Sequence, residues 1–135
     1  MDTYPISAVP SRSLVVVVVE DQSGRSAGAA ALLNMCGFQA CSAADNLDAA
    51  RLARELAADA VVVDLDLPGP GAAEVARGVS AVGGPMLVAV GGDAEFGRRA
   101  TAAAGFHFHF PKPLDPALLI GCLRRLSCLQ VEADD

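Results

Sequence analysis

The chain has 135 residues, of which 53% are hydrophobic and 19% charged; its 10 basic and 16 acidic side chains give a formal net charge of −6. Apolar content and length of this order describe one domain with one core, which excludes disorder over most of the chain. The acidic balance excludes a nucleic-acid surface, which needs clustered Lys and Arg, and suits a cation or a basic partner patch. Among the basic residues only Lys112 is a lysine. No apolar run approaches the length of a membrane span. The first residues lack the basic and apolar regions of a secretory signal, so a cytoplasmic chain is expected. Cys36, Cys41, Cys122 and Cys128 form no CxxC pair and read as buried thiols rather than a disulfide framework.

In chain order, residues 1–13 carry Pro5 and Pro10 without periodicity and are expected as a flexible tail. Residues 14–129 then alternate short β-branched runs with Ala- and Leu-rich stretches. Residues 14–19 form a continuous apolar strand, and 24–36 a helix ended by Gly37. Residues 38–41 form a short strand, and 46–57 a helix with Asp45 as N-cap. Residues 60–63 are a strand that runs into Asp64. A short helix over 72–77 and a strand over 86–90 follow. A helix over 93–104 is stopped by Gly105, a strand spans 106–110, and a last helix spans 115–129 with Pro116 at its first position. Residues 130–135 are expected as an acidic tail. Five strands alternating with five helices predict a single α/β domain with a parallel sheet. Runs 14–19 and 60–63 are apolar on both faces, as central strands must be.

In open α/β sheets, ligands bind beyond the carboxyl ends of the strands. Glu20 and Asp21 follow the first strand, Asp64 ends the third with Asp66 two residues on, and Lys112–Pro113 follow the fifth. Clustered carboxylates repel one another, and a hard divalent cation such as Mg²⁺ resolves the repulsion with oxygen ligands and waters. A carboxylate beside such a cation, with a lysine opposite, suits acceptance of a phosphoryl group, because both cations neutralise the transferring oxygens.

These residues, read as VEDQ, CGFQA, VVVDLDLP and AAGFHFHFPKP, resemble the receiver domains of two-component response regulators. The resemblance implies a flavodoxin-like (βα)5 doubly wound parallel sheet of order 2-1-3-4-5. It further implies that Asp64 accepts a phosphoryl group from a histidine kinase or phosphotransfer protein. Asp21 and Asp64 would hold Mg²⁺ through their side chains, Asp66 through its backbone carbonyl and Glu20 through a water. Lys112 would contact the phosphoryl oxygens, with a cis bond to Pro113. Signalling would follow by protein contact or self-association through the face of the 93–104 helix, the fifth strand and the last helix, with no nucleic-acid or membrane partner.

Three departures bear on mechanism. The family carries Thr or Ser at the end of the fourth strand, where alignment puts Val90, or Gly91 with a slip of one residue; neither has a hydroxyl. The family's switch aromatic falls at His109, with His107 on the same strand face and Phe106, Phe108 and Phe110 alternating toward the core. The loop after Asp64, LPGPGAAE, is one residue short. Three readings stand: a phosphoryl-accepting receiver that is no enzyme; a degenerate receiver that binds its partner constitutively; and an aspartyl-phosphate phosphatase. The last rests on the Asp-x-Asp of VVVDLDLP, with Asp64 as nucleophile and Asp66 as general acid. It lacks the usual Gly-Thr after Asp66.

Overall fold

The computed structural model describes residues 13–19, 28–66, 72–80, 84–92 and 105–134. Glu20, Asp21, the loop 67–71 and the expected helix 93–104 lie outside the described residues, as do residues 1–12 and 24–27. Five parallel strands, β1 (Val15–Val19), β2 (Gln39–Ala43), β3 (Ala60–Asp64), β4 (Met86–Val90) and β5 (Phe108–Phe110), form one sheet in the order β2-β1-β3-β4-β5. The described helices are α1 (Ala29–Met35), α2 (Asn46–Leu56), α3 (Ala72–Ser80) and α4 (Pro116–Asp134). This is the doubly wound, flavodoxin-like arrangement, and the two strands read as central, β1 and β3, lie inside the sheet.

Alternation along each strand sends neighbouring side chains to opposite faces, so two cores form. Val17, Val61, Val63, Leu87 and Ala89 pack with Ala49, Ala50 and Ala53 of α2 and Ala76 and Val79 of α3. The alanines let α2 lie close on the sheet. On the other face Val16, Val18, Val62, Val88 and Val90 meet Leu33 of α1 and Leu119 and Leu123 of α4. Burying each such valine or leucine contributes about 1.5–3 kcal/mol.

Local signals set most boundaries. Asp45 caps α2, its carboxylate accepting from Asp48 N at 2.7 Å, and Ala57 ends the helix in the left-handed region at φ 52°. Pro116 opens α4 as expected, and the helix runs past Leu129 to Asp134 through the segment expected as a tail, where residues 130–134 hold no Gly or Pro to stop it. Strand β2 is longer than read, and β5 begins only at Phe108. Being a short edge strand, β5 leaves Phe108 37% exposed, although a core position was expected; its ring stacks on Phe110 at 6.3 Å. Cys122 is buried, and the thiols of Cys36 and Cys41 are half-buried and free. No helix among the described residues is long and apolar enough to cross a membrane.

Candidate functional site

Asp64 is the last residue of β3, and its side chain is one of two buried polar side chains among the described residues, the other being Asn46. Among the described residues the register of β1 against β3 runs from Val16–Ala60 to Val18–Val62, and the backbone of Asp64 finds its partner on α2. Asn46 takes that place. Its Nδ2 donates to Asp64 O at 2.9 Å, and Asp64 N donates to its Oδ1 at 3.2 Å. The first residue of α2 thus stands in for a strand neighbour and fixes the end of β3. Nothing in the sequence pattern marked it, apart from its place beside the Asp45 cap.

The Asp64 carboxylate accepts from Asp66 N at 2.8 Å through Oδ1 and from Lys112 Nζ at 2.8 Å through Oδ2. Lys112 also lies 3.3 Å from Asp66 Oδ2. Lys112 follows β5, and its bond to Pro113 is cis. Partial burial is the largest single influence on the ammonium and acts against it. The hydrogen bonds and charges of Asp64 and then Asp66 together outweigh that, holding Lys112 above the usual lysine range. Asp64 and Asp66 therefore meet Lys112, distant from both in sequence, at the carboxyl edge of the sheet.

Asp66 does more than its backbone role implied. Its Oδ1 accepts from Gly92 N at 3.0 Å, tying the turn after β3 to the end of β4. Val90 is the register partner of Asp64 and packs in the core on that face, so it and not Gly91 occupies the position beside the acceptor. A buried isopropyl group stands where a hydroxyl was sought. Gly91 comes next, at φ 94°, with the Asp66 carboxylate and Lys112 packed against it so closely that a Cβ would overlap Asp66 Oδ2.

His107 precedes β5 and turns its ring into the hydrogen-bonding edge of β4, where Nδ1 accepts from Leu87 N at 3.0 Å. His109 lies within β5, and its Nε2 is 2.8 Å from Gly91 O; a carbonyl only accepts, so that nitrogen carries a proton. Each ring has one nitrogen committed to backbone, His107 to Leu87 of β4 and His109 to Gly91 just beyond it.

The described donors that face the site are oxygens, from the carboxylates of Asp64 and Asp66. That chemistry fits Mg²⁺, which takes one or two carboxylates and keeps several waters. The described residues alone hold no group of three or more potential ligands for a metal ion. Glu20 and Asp21 lie outside the described residues.

Neither a protein-family model nor a curated protein matches the chain. Solved structures do. The chain is 29% identical to a CheY-like response regulator receiver domain from Methylobacillus flagellatus, with a TM-score of 0.70 over 84% of this chain and 98% of that one. It is 25% identical to the receiver domain of the sensor histidine kinase PA1611 from Pseudomonas aeruginosa PAO1, whose structure has a magnesium ion coordinated in the active site cleft. The TM-score there is 0.72, over 84% of this chain and 97% of that one. A further match, at 19% identity and a TM-score of 0.77, covers 91% of this chain and 93% of the other. It comes from the Saccharomyces cerevisiae complex of the histidine phosphotransfer protein Ypd1 with the receiver domain of Ssk1. The chain is a structural relative of CheY-like response regulator receiver domains over most of its length, and the resemblance carried by its motifs is borne out.

Proposed function

We propose that this chain is a receiver module in two-component phosphorelay signalling, with Asp64 as the phosphoryl acceptor. The observation that carries the proposal is the buried Asp64 carboxylate at the end of β3, paired to Lys112 Nζ at 2.8 Å. In the transfer, an Asp64 oxygen attacks the phosphorus of a phosphohistidine. The O–P bond forms as the N–P bond breaks, and the leaving imidazole nitrogen takes up a proton from solvent. Lys112 neutralises charge on the phosphoryl oxygens, and the planar fork of an arginine would not substitute for its compact ammonium. Mg²⁺ would be held by the side chains of Asp64 and Asp21 and the backbone carbonyl of Asp66, with Glu20 acting through a water, and would supply a second positive charge there. The described acid–lysine cluster and the magnesium-bearing neighbour support this reading.

The donor would be a histidine kinase or phosphotransfer protein, the class seen on the yeast neighbour. Output would pass by protein contact or self-association through the edge carrying β5 and α4, where Phe108 and Leu118 are exposed. The receiver body would span residues 14–129, in the cytoplasm with its kinase, and would act as a signalling module rather than an enzyme.

Incubation with acetyl phosphate and Mg²⁺ should add one phosphoryl group by mass, and Asp64→Ala should abolish the gain. Lys112→Arg should slow uptake while the fold is retained. A wild-type chain with no mass gain, and no response near Asp64 to beryllofluoride, would refute acceptance. One observation favours a second reading, a degenerate receiver that binds constitutively. Val90, buried beside Asp64, removes the hydroxyl through which the family couples acceptance to output. Partner binding by Asp64→Ala equal to wild type would establish that reading.

A further inference from the structure

The carbonyl of Gly91 accepts from His109 Nε2 at 2.8 Å, and the N–H of Gly92 donates to Asp66 Oδ1 at 3.0 Å. These two groups belong to a single peptide plane, so neither can reorient without the other. The residues on either side of that plane have φ of 94° and 74°, a region that glycine enters without steric cost. At Gly91 a side chain is excluded by packing as well, because a Cβ would overlap Asp66 Oδ2 and lie 3.2 Å from Lys112 Cε. Asp66 Oδ2 is in turn 3.3 Å from Lys112 Nζ, and the same ammonium is 2.8 Å from Asp64 Oδ2. Direct contacts therefore run from Asp64 through Lys112, Asp66 and one peptide plane to a ring on the edge strand.

We propose that the Gly91–Gly92 peptide is the coupling element of this domain, passing the pairing state of Asp66 and Lys112 to His109. Val90 contributes no hydroxyl to such coupling, and the hydrogen bonds of this peptide supply it instead. When Lys112 is drawn to an anion on Asp64, Asp66 loses its cation and its carboxylate turns. Gly92 N–H is released, the peptide rotates between its two glycines, and His109 loses its acceptor. Asp66 is thus a positioning residue, and His109 reports what Asp66 does. The coupling itself is independent of modification; its use in signalling rests on the acceptor reading above.

Contiguity is not coupling, so the test measures coupling from both ends. In the ¹⁵N-labelled 135-residue chain, the Gly92 amide and the His109 imidazole Nε2 are followed by NMR. Asp66→Ala should move the His109 Nε2 signal and accelerate hydrogen exchange at Gly92. Asp66→Asn keeps an acceptor oxygen for Gly92 and should return the His109 signal toward wild type. His109→Phe, on the partly exposed edge strand, should move the Gly92 amide in reciprocal fashion. An unmoved His109 signal in a folded Asp66→Ala chain overturns the proposal, as do equal shifts in the Ala and Asn variants. Should Asp66→Ala fail to fold, an unmoved Gly92 amide in His109→Phe overturns it alone. With beryllofluoride and Mg²⁺, shifts near Asp64 should be accompanied by loss of both hydrogen-bond signatures. Binding without that loss overturns the signalling use of the peptide. No binding at all counts against the acceptor reading, while the variants still decide the coupling.

Discussion

At the β2 edge of the sheet, Asn34 reaches from α1 and pairs its side-chain amide with both backbone groups of Ala40. Nδ2 donates to Ala40 O at 3.0 Å, and Ala40 N donates to Oδ1 at 2.9 Å. At the other edge, two imidazoles extend a ladder that backbone alone leaves short. His107 Nδ1 accepts from Leu87 N before β5 begins, and His109 Nε2 donates to Gly91 O beyond β4. In both places a side chain imitates a strand neighbour and satisfies backbone groups, and at β2 it also blunts an edge that could recruit another chain. The difference lies in what stands behind the backbone group being satisfied. Behind Ala40 is the ordinary ladder to β1. Behind Gly91 is the peptide whose other face holds Asp66, and through it Lys112 and Asp64. The same device closes an edge at β2 and connects an edge to the acid site at β5.

The contrast is broken most severely at the site itself. Asp64→Ala should lose all phosphoryl uptake from acetyl phosphate, measured by intact mass, while the Ala40 amide keeps its chemical shift. An Ala40 shift would mean that the two edges are not independent. Next in size, His107→Ala leaves the partly buried Leu87 N–H without its acceptor and should cost about 1–3 kcal/mol in urea unfolding. Asn34→Ala removes two exposed hydrogen bonds that water replaces in part. Its expected cost is about 1 kcal/mol, with phosphoryl uptake unchanged; slowed uptake would contradict the division between edges. The smallest effect is alkaline. Because Lys112 titrates above its ordinary value in the fold, its contribution is complete below the usual lysine pKa of about 10.4 and is lost as pH rises through the raised value. Its side chain is 44% exposed, so screening limits the loss to about 0.2–1 kcal/mol, measurable as a difference in unfolding between wild type and Lys112→Met.

Much of the fold was legible because the signals are local. The valine run at 15–19 reads as a buried central strand without knowledge of its neighbours, since both faces are apolar and its length is a strand's. Asp45 announces α2 and Pro116 announces α4 because a cap depends only on the first turn. For the site, the position of an acid or lysine directly after a strand sufficed to bring Asp64, Asp66 and Lys112 to one edge. Asn46 was missed, since its role is a side-chain pairing with the backbone of Asp64 on another element, a fact of tertiary placement rather than of composition. Phe108 was misplaced for a related reason: alternation assigns faces but does not say that β5 is an edge strand too short to be covered.

The alternation of strands and helices, the acids at strand ends, the lone lysine, and the lack of a hydroxyl at the end of β4 are all properties of the sequence alone. Each is written within a window of a few residues, over which backbone geometry repeats. It took the folded chain to make Val90 the register partner of Asp64, to fill the space beside Gly91 with the carboxylate of Asp66, and to set His109 on the same peptide from the opposite side. Those contacts join residues from three strand ends. Their directions follow from how parallel strands register against one another, which no local period encodes.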